Sequence, residues 1–311
     1  MAAVPRVGVR PGSTGALRFG LNSSAVSAAV ALLAFVWSWA ALPSGLDPRA
    51  YYELLFWGGG HVLQFTYTLL MFVAWLWLLD AMGAPRPLTP RLAILLFAVG
   101  LVAVFLTPVI YLAWDVGSVE HHRMLTWLMR FGGGLAILPF ALAVVIGIAR
   151  SPALTADKRP FAAAIVTSLL LFGSGGFIGL MIHGSNVKIP AHYHGCIVGV
   201  TLALMGLTYA LLPAMGYARP SARLARWQPW VYGMGQLMHV LGLVWSGGYG
   251  VQRKVAGAAQ PLRSAQEIVA MGVMGLGGLI AVIGGVLFLV IVWRAIGGAK
   301  STGASTHATY D

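Results

Sequence analysis

Eight stretches of this 311-residue chain are apolar for long enough to cross a bilayer, and that repetition constrains its fold more than any other feature. They fall at about 24–43, 55–80, 91–113, 124–149, 161–183, 191–213, 229–247 and 267–293. A spanning helix needs about 20 predominantly apolar residues. In hydrocarbon every backbone N–H and C=O must be satisfied within the protein, so such runs become helices. Hydrophobic residues make up 59% of the chain and charged residues only 9%, a balance that excludes a soluble domain. The expected fold class is all-α: a polytopic membrane bundle of about eight transmembrane helices. The expected organisation is a single membrane domain over 1–311, with tails at 1–23 and 294–311 and a transmembrane core at 24–293. Turn signals separate the runs at Pro43 and Gly45, Gly83 to Pro90, Ser151-Pro152 and Gly216 to Pro220.

The formal net charge of +12 raises nucleic acid as a partner, but the charge distribution argues against it. Lys and Arg sit in short loops between apolar runs, with no basic stripe interleaved with aromatics. Counted by loop, the larger share falls on one side: Arg6, Arg10 and Arg18, then Arg86 and Arg91, then Arg150, Lys158 and Arg159, then Arg219, Arg223 and Arg226, then Arg294 and Lys300. The positive-inside rule makes that side cytoplasmic. The expectation is a multi-pass protein of the cell inner (plasma) membrane with both termini in the cytoplasm. Residues 1–20 are basic and not apolar, so no cleavable signal peptide is expected. The single cysteine, Cys196, excludes a disulfide framework and any cysteine-based zinc or iron–sulfur site.

The histidines carry the functional signal. Of the eight, His61, His121, His122, His183, His192 and His194 map to the outer end of the expected bundle. Imidazole is costly in hydrocarbon unless it has a partner, so a group at one membrane depth points to metal or heme ligation. In His192-Tyr193-His194 the two imidazoles are two residues apart, which on a helix is about 200°. They leave opposite faces, so they cannot chelate one ion but can ligate two different cofactors flanking the helix. Gly195 and Gly199 thin the same helix, and the expectation is that flat macrocycles approach there. The adjacent pair His121-His122 falls at a helix–loop junction, where it can converge on one metal, with His61 as a third nitrogen. Three imidazoles with an open position suit copper, iron or zinc. The bland readings are histidines bonded to neighbouring helices, and a solvated interfacial pair. Gln252-Arg253-Lys254 places positive charge on the outer side, where an anionic group such as a heme propionate would hold it. A solvated loop or a lipid headgroup contact is the other reading.

Taken in order, these motifs resemble the catalytic subunit of the heme–copper oxidase superfamily, which contains cytochrome c oxidase subunit I and the large subunit of nitric oxide reductase. The matching residues are Phe56-Trp57-Gly58-Gly59-Gly60-His61, His121-His122, Ala191-His192-Tyr193-His194 and Arg253-Lys254. The resemblance covers about 24–293 and corresponds to the family's C-terminal eight helices. It implies that His61, His121 and His122 bind a non-heme metal, copper or alternatively iron. It implies that His192 is the axial ligand of a high-spin heme, that His194 ligates a low-spin heme, and that Arg253 and Lys254 hold propionates. The implied activity is terminal electron transfer to O2, giving water, with electrons from a periplasmic donor such as cytochrome c. A membrane subunit would supply the missing N-terminal helices and the second low-spin ligand, since no histidine precedes His61; His239 could substitute in principle, the other reading being a mid-membrane histidine that is simply hydrogen-bonded.

Two departures bear on the substrate. Many oxygen-reducing members carry a tyrosine one helical turn past the first metal ligand, where this chain has Phe65; Tyr111 on the third helix is the possible replacement. His183-Gly184-Ser185-Asn186 looks like the nitric oxide reductase form of its loop, with Gln64 and Glu120 as nearby polar candidates. The alternatives carried forward are reduction of NO to N2O, a non-catalytic heme-carrying membrane subunit, and a transporter with metal-binding histidines. The last leaves His192-Tyr193-His194 and Arg253-Lys254 unexplained.

Overall fold

The computed structural model describes residues 13–184, 186–253, 255 and 262–298. Among them the chain forms eight helical rods and no β-strand, so the all-α bundle expected from the apolar runs is what is found. The rods are α1 (Ser13–Ala41), α2 (Pro48–Met82), α3 (Pro90–Ala113), α4 (Val119–Ala149), α5 (Arg159–Leu180), α6 (Lys188–Ala214), α7 (Ala222–Gly248) and α8 (Ala265–Gly297). Seven of them are long and apolar enough to cross a membrane. The exception is α7, whose run is diluted by Arg223, Arg226, Gln228, Gln236 and His239. The protein is a multi-pass membrane protein. Helix α1 begins at Ser13, within the stretch 1–23 expected as a tail.

The helices gather into two compact units, 1–80 with 84–151, and 81–83 with 152–311. In the first unit, α1 to α4 close around two apolar centres. One joins Val30, Ala34, Val62, Phe65, Val104, Ile110, Tyr111 and Leu125. The other is aromatic: Phe72 stacks on Phe140 at 4.2 Å between ring centroids, and Phe97 meets Phe140 edge-on at 5.0 Å. Two rods are interrupted. In α3, Pro108 withholds an N–H, and the backbone tightens to a 3-10 turn at Ala103–Phe105. In α4, Gly133 breaks the helix between Val119–Gly132 and Gly134–Ala149.

The second unit is built on glycines. A Cβ at Gly175 of α5 would lie 2.5 Å from the Cys196 backbone nitrogen on α6, and one at Gly195 would lie 2.6 Å from the Gly175 Cα. A Cβ at Gly199 would lie 2.6 Å from the Cβ of Phe172. Gly195 and Gly199 therefore thin α6 against helix α5, not against a macrocycle, which corrects the expectation drawn from sequence. Between α7 and α8 the same device repeats: Gly235, Gly242, Gly277 and Gly284 each face the opposing backbone or its first carbons. Small residues let helices approach where lipid offers no hydrophobic drive for association. One buried polar cluster locks the register. The Tyr209 hydroxyl donates to Gln228 Oε1 at 2.9 Å, and Gln228 Nε2 donates to the Gly284 carbonyl at 3.2 Å.

Candidate functional site

In the first unit the three candidate metal ligands come from α2 and α4. His61 lies one turn after Trp57 on α2, and its Nδ1–H donates to the Trp57 carbonyl. That bond fixes the tautomer and leaves Nε2 with a free lone pair. His121 and His122 lie in the first turn of α4, where the Ser118 hydroxyl caps the helix by accepting from the His121 N–H at 3.1 Å. They are helical residues rather than loop residues, so they diverge by about 100°. His121 turns inward against the edge of Tyr111, 4.7 Å between ring centroids. His122 lies over Trp57 at 4.1 Å, and Trp57 also meets His61 at 4.4 Å. The expected convergence at a helix–loop junction is thus replaced by a shell of three imidazoles around Trp57 and Tyr111. Among the described residues no three His, Cys, Asp or Glu side chains are gathered closely enough to hold an ion.

The chemistry of the donors nevertheless fits a metal. His121 is 1% exposed, and neither of its ring nitrogens has a hydrogen-bond partner among the described residues. An unpartnered buried nitrogen costs about 1–3 kcal/mol, which a coordinate bond would offset. Neutral imidazole is also the form a metal requires.

Two residues near this shell escaped the sequence reading, and a third was read without its role. Ser38 of α1 shares a 2.8 Å hydrogen bond with the Tyr111 hydroxyl, and both groups are buried. Glu53, two turns before His61, lies within electrostatic reach of His122. Gly58, part of the motif from Phe56 to His61, leaves the space that the phenol occupies. Only the packing of α1, α2 and α3 reveals these contacts.

In the second unit α6 carries His192 and His194 toward different neighbours. His192 faces α5: its Nδ1–H donates to the Gly175 carbonyl at 2.7 Å, again leaving Nε2 free. Gly179 makes room for the ring, since a Cβ there would lie 2.7 Å from Nδ1. An imidazole held by a backbone carbonyl through one nitrogen is oriented and made more basic at the other, as an axial heme ligand requires. His194 faces α7, where it meets His239 at 4.9 Å between ring centroids. His239 donates its own Nδ1–H to the Met274 carbonyl at 3.0 Å. His183 is exposed and bonds locally to the Met181 carbonyl at 3.1 Å, apart from these groups.

Arg253 is placed by a two-residue stitch. Asn186 and Gln252 form an antiparallel bridge, and the Val187 N–H donates to the Val251 carbonyl at 3.1 Å. The loop after α7 is thereby tied to the start of α6, the end that bears His192. Lys254 and Ser185 lie outside the described residues.

The model of a protein family described as cytochrome c and quinol oxidase polypeptide I matches residues 25–287. An uncharacterized protein of Rickettsia prowazekii (strain Madrid E) is 30% identical over 309 residues, covering 86% of this chain and 60% of the relative. An uncharacterized protein of Aquifex aeolicus (strain VF5) is 24% identical over 219 residues, covering 67% of this chain and 51% of the relative. The fold is similar to that in a cryo-EM structure of a heme–copper terminal oxidase dimer, with a TM-score of 0.64 at 18% identity, covering 90% of this chain and 57% of that one. The chain therefore spans between half and two thirds of the length of the proteins it matches.

Proposed function

The chain belongs to the cytochrome c and quinol oxidase polypeptide I family, and from that premise we propose that it forms the heme-bearing part of a terminal oxidase core that reduces O2 to water. The observation that carries this reading is His192, pinned through Nδ1 to the Gly175 carbonyl over a ring-sized gap at Gly179. In this reading His192 would hold a high-spin heme and His194 a low-spin heme, while Arg253 and Lys254 would hold propionates. His61, His121 and His122 would hold a non-heme metal, copper or iron. When bound, these groups supply electron storage and a site for the gas. The protein's own part is positional: two backbone carbonyls fix the tautomers of His61 and His192, and Ser38 orients the Tyr111 phenol.

Tyr111 favours oxygen over nitric oxide. Four-electron cleavage of O2 needs a nearby group that can give both an electron and a proton, and a phenol does so where Phe65 cannot. The Tyr111 ring touches His121, and its hydroxyl has a buried partner that can return a proton. NO reduction is the second reading, favoured by Glu53 beside His122, because a carboxylate near the metal suits iron. The proposed setting is the inner membrane with both termini cytoplasmic, a periplasmic donor such as cytochrome c, and a membrane partner for the helices that the longer relatives carry. The purified assembly, supplied with reduced cytochrome c, is expected to consume O2 and to lose that activity with Tyr111→Phe. NO consumption that survives Tyr111→Phe, without O2 consumption, would replace the first reading with the second.

A further inference from the structure

The cytoplasmic end of the second unit, as the charge count orients it, holds a cleft of about 220 Å³ that neither heme nor metal explains. Its walls come from the start of α7 and the end of α8. The polar wall is Arg219, Ser221 and Arg294, and the apolar wall is Leu224 and Ile291. The cleft is built rather than casual. The Ala218 N–H donates to the Ala295 carbonyl at 3.1 Å, which pins the segment before α7 to the end of α8. Gly298 tightens the same joint, since a Cβ there would lie 2.9 Å from the Cβ of Ala218.

Two arginines line one small space with no carboxylate among its walls. Among the described residues neither arginine forms an ion pair within 4.0 Å, the one such pair being Arg86 with Asp80. Asp157 feels Arg219 only weakly: it is exposed, and its largest influence is the hydrogen bond with the Thr155 side chain. Ser221 is the N-cap of the 27-residue α7, and its hydroxyl makes no capping bond. Paired guanidiniums bind phosphate oxygens by charge-assisted, often bidentate hydrogen bonds, and a serine hydroxyl adds a donor.

The surroundings decide which phosphate. Arg294 lies in the last turn of the membrane-crossing rod α8, so the cleft sits at headgroup depth. Trp227, one turn after Leu224 in sequence, and Trp293, next to Arg294, are 54% and 79% exposed, as interfacial aromatics are. Arg226 lies over the Trp227 ring at 5.6 Å, adding a cation to the same surface. Leu224 and Ile291 continue the cleft toward the hydrocarbon, where acyl chains would lie. We propose that this cleft is a specific site for the phosphate headgroup of an anionic phospholipid, held by Arg219, Arg294 and Ser221.

The test uses the protein purified in neutral detergent and titrated separately with phosphatidylglycerol, phosphatidylcholine and inorganic phosphate. Retained lipid is followed by native mass spectrometry, and stability by the unfolding midpoint. Phosphatidylglycerol is expected to be retained and to raise the midpoint more than phosphatidylcholine does. Arg219→Ala and Arg294→Ala should each weaken its binding by about tenfold, the loss of one charge-assisted contact. Arg219→Lys should recover part of the loss, which a folding defect would not allow. Arg223→Ala, in the first turn of α7 and not lining the cleft, should bind as the parent does. Equal losses from Arg223→Ala and Arg219→Ala would overturn the site in favour of a diffuse basic surface. Inorganic phosphate that binds with the same arginine dependence while phosphatidylglycerol is not retained would overturn the lipid assignment.

Discussion

At the scale of single residues, the site is organised by which nitrogen of each imidazole is already spoken for. His61, His192 and His239 each give Nδ1–H to a backbone carbonyl, and each keeps Nε2 for something else. Among the described residues His121 has no hydrogen-bond partner for either ring nitrogen, and a buried unpartnered imidazole weakens the metal-free protein. His121→Phe should therefore leave the metal-free protein as stable as the parent, or more so by about 1 kcal/mol, while metal analysis shows the non-heme ion lost. A destabilised variant with full metal occupancy would remove His121 from the ligand set. Tyr111 and Ser38 form the second residue-scale unit. Tyr111→Phe should cut O2 turnover by more than about tenfold, the cost of losing a general acid in the reaction. Heme spectra should be unchanged, because the ring and its contact with His121 survive. Ser38→Ala, measured the same way, should show a smaller loss of the same kind. Turnover unchanged in both would mean that the phenol is only packing.

At the scale of elements, the glycines decide how closely the helices pack. Gly277 faces the His239 backbone, and Gly242 faces that of Met274, so α7 and α8 hold the His239–Met274 bond in place. Gly277→Leu should overpack this joint, lowering stability by about 1–3 kcal/mol. It should also disturb the low-spin spectrum before the high-spin one, since His194 rests on His239. Gly272→Ala, with nothing within 4 Å, serves as the control and should be silent in both readouts. This scale also shows what was legible in sequence. Length and hydropathy were sufficient for seven of the eight rods, whereas α7, whose polar residues dilute its apolar run, is found at 222–248 without reaching that measure. The two faces of His192 and His194 followed from helical rotation. The first turn of α4 did not: Ser118 caps the helix early and draws His121 and His122 into regular spacing, so a pair read as a flexible junction diverges instead. Nor did the purpose of Gly195 and Gly199, because a glycine's sequence cannot say whether a helix or a ligand approaches it.

At the scale of the whole molecule, the residues invisible in sequence are those supplied across helices. Ser38 and Gly179 each act on a histidine or tyrosine of another rod, and no local pattern reports such contacts. The chain spans 57% of the solved terminal oxidase it resembles. α1 presents Leu32, Leu33, Val36 and Trp39 outward, an apolar face for lipid or for a partner helix. Mild solubilisation should therefore recover the chain with another membrane polypeptide, detectable by co-purification and mass spectrometry. A monodisperse single chain with a six-coordinate low-spin heme and full turnover would contradict that assembly and pass the second axial position to a ligand within the chain. The central claim is that one helix carries two hemes on two faces, and reduced-plus-carbon-monoxide optical spectra test it most directly. The parent assembly should show one carbon-monoxide-binding high-spin heme and one low-spin heme. His192→Ala should abolish the carbon monoxide signal while leaving the low-spin bands, and His194→Ala should do the reverse. Identical spectral losses from the two substitutions, or a parent protein without heme, would contradict the account.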